Sequence, residues 1–68
     1  MIIGKRLKEL RVDKGMKLKD VAAALIVTVR SINRYEDGTR EPSLALLISF
    51  CKLYKVSSDY LLGLSDSY

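Results

Sequence analysis

Histidine and tryptophan are absent from this 68-residue chain, and cysteine and proline occur once each, as Cys51 and Pro42. A lone cysteine forms no internal disulfide. Without histidine, a zinc site on the usual Cys/His spacings is excluded, and so is most histidine-based acid–base chemistry. Acidic residues number only eight, and Asp13, Asp20, Glu36 and Asp37 read as solvated or paired charges rather than as an acid–base set. Neither an enzyme nor a metal or cofactor site is expected. Long apolar runs are missing too. The longest, Val21 to Val27, is seven residues, far too short to span a bilayer. No apolar h-region follows the initial Met1-Ile2-Ile3-Gly4-Lys5-Arg6, so no secretory signal is read and a soluble cytoplasmic protein is expected. Cys51 sits in the apolar run Leu46 to Cys51, where a small buried hydrophobe is a better reading than a reactive thiol.

What is present is a core's worth of apolar side chains, 49% of the residues, in a chain of single-domain size near the lower limit for folding without staples. Charge is unevenly placed. Residues 1–40 hold ten Lys/Arg and five Asp/Glu, a net +5; residues 41–68 hold two and three, a net −1, which together give +4. A basic half joined to a near-neutral one suits a polyanion on one face and packing or self-association on the other. Lysine-rich helices are also common with no partner, so charge alone does not choose.

The apolar spacing is helical throughout, with no sustained period of two. Residues 3–14 place Ile3, Leu7 and Leu10, with Val12 at the margin, on one side and Lys5, Lys8, Glu9 and Asp13 outward, and Gly15 is the stop. A second helix, 18–25, turns Val21, Ala22 and Leu25 inward. Thr28 caps a third, 29–36, which buries Ile32 and Tyr35 and ends at Asp37-Gly38. A loop, 39–42, leads to Ser43, the cap of a helix over 44–54 with Leu44, Leu47, Ile48 and Cys51 toward the core. Ser57 or Ser58 caps a last short helix through Leu62, closed by Gly63. The expected fold is all-α, five short helices. Its third helix sets Val29, Arg30, Asn33 and Arg34 on the side opposite its apolar residues. Amide and guanidinium groups on the outer face of a short anchored helix fit a DNA major groove.

From Ile3-Gly4-Lys5-Arg6-Leu7-Lys8-Glu9-Leu10-Arg11 through Ser31-Ile32-Asn33-Arg34-Tyr35-Glu36-Asp37-Gly38 and Arg40-Glu41-Pro42-Ser43-Leu44 to Asp59-Tyr60-Leu61-Leu62-Gly63, the chain resembles the Cro/repressor-type, XRE-like helix-turn-helix DNA-binding family. The resemblance covers nearly all of residues 1–68, with the helix-turn-helix unit at about 18–36, and implies a lambda-repressor-like fold. It implies that Arg11 and Glu36 pair, tying the first helix to the end of the third. It implies that Thr28, Val29, Arg30 and Arg34, with Asn33 beside them, approach bases or nearby phosphates, Arg by a guanine edge and Val29 by a thymine methyl; for Arg30 and Arg34 the competing reading is phosphate contact without base reading. Phosphate contacts fall to Lys17, Leu18, Lys19, Thr39 and Arg40. Two positions depart from the family pattern. Lys17-Leu18 stands where Thr or Ser followed by Gln usually holds a phosphate, leaving that contact to backbone N–H groups or to Lys17 or Lys19. Ile26 stands at the corner where the family has Gly; positive φ costs a β-branched residue about 1–2 kcal/mol, so either the corner has another shape or the protein bears the strain.

The function implied is a sequence-specific transcriptional regulator, a repressor, on double-stranded operator DNA. The alternative is an interaction module, antitoxin- or anti-repressor-like, whose reading face has drifted; Leu18 and Ile26 favour it, while Arg30, Asn33, Arg34 and the basic half oppose it. No membrane partner and no small-molecule ligand are expected. One unit reads few base pairs, so a homodimer on an inverted repeat is expected, with recognition helices about 34 Å apart. Its surface is assigned to the apolar segment after residue 53, through Tyr54, Tyr60, Leu61 and Leu64; the competing reading is that these residues only close the monomer core.

Overall fold

The computed structural model describes residues 2–68, and every element in them is helical: α1 (Ile3–Asp13), α2 (Leu18–Leu25), α3 (Val29–Asp37), α4 (Leu44–Tyr54) and α5 (Ser58–Leu61). Side-chain oxygens start three of them. Thr28 Oγ1 accepts from the Ser31 N–H at 3.1 Å, Ser43 Oγ from Leu46 at 3.2 Å and Ser57 Oγ from Tyr60 at 3.1 Å; each satisfies an amide that the first helical turn leaves without a carbonyl. α2 starts differently. Lys17 has no oxygen to offer, and its own N–H donates back to Asp20 Oδ2 at 2.8 Å. α1 and α5 each end one residue earlier than the spacing predicts, and α3 runs one further, to Asp37. No helix among the described residues is long and apolar enough to cross a membrane.

α3 lies against both α1 and α2, and α4 closes the opposite side. Leu7, Leu10, Val21, Ile32, Phe50, Tyr54 and Leu61 fill the centre. Phe50 stacks on Tyr54 and meets Tyr35 edge-on, both at 6.1 Å between ring centroids. The α1–α3 crossing is closer than side chains allow. A Cβ on Gly4 would stand 2.6 Å from the Tyr35 carbonyl oxygen and 2.7 Å from that of Glu36, so α1 meets the end of α3 backbone to backbone.

Two expected faces are corrected. In α4, Leu44 is 74% and Ile48 48% exposed, and Cys51 is half-buried; of the four residues expected inward only Leu47 is buried, with Phe50 and Tyr54 in place of the others. α4 is apolar almost all round, so periodicity does not select its inner face, and burying the two rings removes far more apolar area than burying Leu44 and Ile48. Val12, expected at the margin of the α1 stripe, is 57% exposed.

The last residues are held by Arg6. Its guanidinium donates to the carbonyls of Tyr60 and Ser65, both at 2.6 Å, and to Asp66 Oδ1 at 3.0 Å, and it lies 4.2 Å from the Tyr60 ring centroid. Tyr68 meets the other side of the cluster, edge-on to Tyr60 at 4.8 Å, while its carbonyl accepts from Ser57 N–H. One planar cation with several fixed donors thus ties residues 60–66 to α1.

Candidate nucleic-acid interface

α3 is held by its inner side. Ile32 is fully buried, Tyr35 and Glu36 nearly so, while Thr28, Val29, Arg30, Asn33 and Arg34 are all exposed. Residues four apart share a helix face, so Arg30 and Arg34 project together. At the far end, Arg11 grips Glu36 as a two-pronged fork: Nε to Oε2 at 2.8 Å, a terminal nitrogen to Oε1 at 3.1 Å. A third donor reaches the Met16 carbonyl at 3.1 Å. The Arg11 side chain is 13% and that of Glu36 5% exposed. At that burial a charge is tolerable only when paired, and Arg11 therefore ties α1, the loop before α2 and the end of α3 into one body. The hydrogen bond to Glu36 also holds the Arg11 pKa above its ordinary value.

The corner before α3 does bear the strain. Ile26 has φ 56 and ψ 50, left-handed helical, and its N–H bonds Ala23 O at 3.3 Å while Val27 N–H bonds Ala22 O at 3.0 Å. That pair of reversed bonds is the Schellman ending usually built on glycine. The backbone shape of the family corner is thus kept by a residue that pays about 1–2 kcal/mol for it.

The phosphate candidates separate. Lys17 and Lys19 are exposed at the start of α2, but the Leu18 side chain packs against the core. That leaves Leu18 the backbone role expected from its sequence: only its N–H, at a helix N-terminus, is available to a phosphate. Asn33 of α3 and Leu18 line one cleft of about 210 Å³ together with Lys8, Arg11, Glu36 and Asp37, so the start of α2 adjoins the exposed side of α3. After α3, the Thr39 N–H and hydroxyl both donate to Asp37 Oδ1, at 2.9 and 2.7 Å, and hold that carboxyl below its ordinary pKa. The Thr39 hydroxyl hydrogen is therefore engaged by Asp37. Arg40 is held by its N–H on Arg34 O at 3.2 Å, with its guanidinium 5.7 Å from the Tyr35 ring centroid, and remains exposed.

Two of the four residues assigned to a dimer surface are corrected. Tyr54 is 1% and Leu61 0% exposed; a core this small needs both to fill it, and neither has surface to give a partner. Tyr60 is half-buried under Arg6, and Leu64, at 76%, is exposed. Sequence reasoning missed Arg6 and Gly4. Arg6 is defined by Tyr60, Ser65 and Asp66, and Gly4 by the carbonyls of Tyr35 and Glu36; all are distant in sequence, and no local pattern marks either residue.

A helix-turn-helix family model matches residues 7–61. Similar proteins include the HTH-type transcriptional regulator ImmR of Bacillus subtilis, 41% identical over 63 residues that make up 93% of this chain and 50% of that protein. The HTH-type transcriptional regulator DdrOP3 of Deinococcus deserti is 37% identical over 57 residues, 84% of this chain and 44% of that protein. An SPbeta prophage-derived uncharacterized HTH-type regulator of B. subtilis, YonR, is 36% identical over 61 residues, 90% and 56%. The chain spans about half the length of these relatives. With the match running from α1 through α5 and the α2–α3 corner in place, the chain belongs to the Cro/repressor-type, XRE-like helix-turn-helix family.

Proposed function

We propose that residues 1–68 form the DNA-reading domain of a transcriptional regulator, a repressor, which sets α3 into the operator major groove. The observation that carries this is the two-sidedness of α3: Ile32, Tyr35 and Glu36 hold it against the body while Val29, Arg30, Asn33 and Arg34 stand free on the outside. Arginine reads guanine O6 and N7 bidentately, asparagine suits adenine, and valine can touch a thymine methyl. Lys17, Lys19, Arg40 and the amides opening α2 then face phosphates on either side. The relatives' names as transcriptional regulators support the same reading. Two copies act on an inverted repeat, about one turn of DNA apart, with Leu64 and the exposed part of Tyr60 in the surface between them. Selection of binding sites from random duplex DNA tests this. An enriched inverted repeat supports it; no enrichment, with the protein folded, contradicts it and returns the interaction-module reading.

A further inference from the structure

Ile26 is a feature of the reading unit that the fold does not explain. Its backbone is left-handed, its side chain is β-branched, and 91% of it is exposed. Such a conformation disfavours branched residues, and an exposed side chain returns no packing to offset that. Lys55 ends α4 with the same φ of 56, but it is unbranched and carries its charge into water, which needs no further account. Residues held by their surroundings in sparsely populated backbone conformations cluster at binding and active sites. Ile26 is also well placed. Only Val27 separates it from Thr28, whose hydroxyl caps α3, so their Cα atoms are at most about 7 Å apart. Val29, 43% exposed, follows directly. The N-terminal residues of a recognition helix are those that approach the bases, and Ile26 and Val29 bracket that end with apolar groups in an otherwise cationic and polar surface.

We propose that Ile26 is a DNA-contacting residue, its side chain packing on apolar carbon at the edge of the groove, either a thymine C5-methyl or a deoxyribose face. This rests on the function proposed above and adds to it a residue at a position where glycine would serve the backbone better. In the unbound protein Ile26 is then a cost, and on the duplex a contact.

The test uses the whole chain, as wild type, Ile26→Gly and Ile26→Asn, on a duplex selected by the wild-type protein. Both substitutions suit left-handed φ, so both should raise the melting temperature by a few degrees. Both should also weaken binding about fivefold or more. Replacing the site's thymines by uracil, one at a time, identifies the source. A thymine methyl is the contact if one replacement weakens wild type and leaves both variants unaffected; a deoxyribose is the contact if the variants are weaker and no single methyl matters. Variants that bind the selected duplex as tightly as wild type overturn the proposal. So does a loss confined to Ile26→Gly, which would trace to a loosened corner. If the wild-type protein selects no duplex at all, the function itself has failed; if it does and the variants match it, only the role of Ile26 has.

Discussion

Replacing Arg11 by Met removes the two bonds to Glu36 and the bond to the Met16 carbonyl while keeping an apolar stem in place. Glu36 is left with a side chain only 5% exposed and without its ion-pair partner. Surface ion pairs contribute little, but at this burial the relevant quantity is the penalty for an uncompensated charge, about 3–5 kcal/mol. A chain of 68 residues has a total stability of roughly 3–10 kcal/mol, so R11M should consume a large share of it. At about 4–8 °C per kcal/mol for a domain this size, the melting temperature followed by circular dichroism should fall by at least about 12 °C. R11M/E36L replaces both charges with apolar groups and should recover most of that loss, because the penalty lies in the orphaned carboxylate and not in the absence of the pair. An R11M melting temperature within about a degree or two of wild type, or a double variant as unstable as the single, would show that the orphaned carboxylate carries no such penalty.

Tyr54 gives a pH signature. Its hydroxyl is buried with no hydrogen-bond partner among the described residues, and burial, reinforced by Glu36 and opposed by Arg11, pushes its pKa up to about 12. An unfolded tyrosine titrates near 10, so the folded state favours the neutral phenol; stability is complete below pH 10 and up to about 3 kcal/mol is lost as pH rises to 12. Y54F should match wild type to about 1 kcal/mol at pH 7 and retain more stability above pH 10 in urea titrations; equal alkaline losses would contradict this. For the C-terminal clasp, R6K supplies one ammonium where a guanidinium serves two carbonyls, a carboxylate and a ring. Hydrogen exchange at the Leu64 amide, bonded to Asp59 O at 2.8 Å, should quicken in R6K and hardly change in D66N, since Asp66 is fully exposed.

Helix positions were legible because caps and spacing are local. Thr28 and Ser43 announce α3 and α4, and α3 has a clean division between Ile32 and Tyr35 on one side and Arg30 and Arg34 on the other. The inner face of α4 was not legible, because Leu44-Ala45-Leu46-Leu47-Ile48 is apolar on every side and only the volume available to Phe50 and Tyr54 decides. Gly4 and Arg6 were opaque for a different reason: each is explained by a carbonyl that the fold brings to it. Ile26 was legible as a conflict between side chain and corner, and the structure resolves that conflict in favour of the corner.

In the function proposed above, the outer face of α3 reads bases while the start of α2 only holds phosphates. The ratio of specific to non-specific DNA affinity in R30A, R34A and K19A, at one salt concentration, separates the two roles. At least one of R30A and R34A should lose about 1–3 kcal/mol on the selected site and far less on random duplex, so that the ratio collapses. K19A should weaken both duplexes alike and preserve the ratio. A ratio unchanged in both arginine variants would contradict the assignment of α3 as the reading helix.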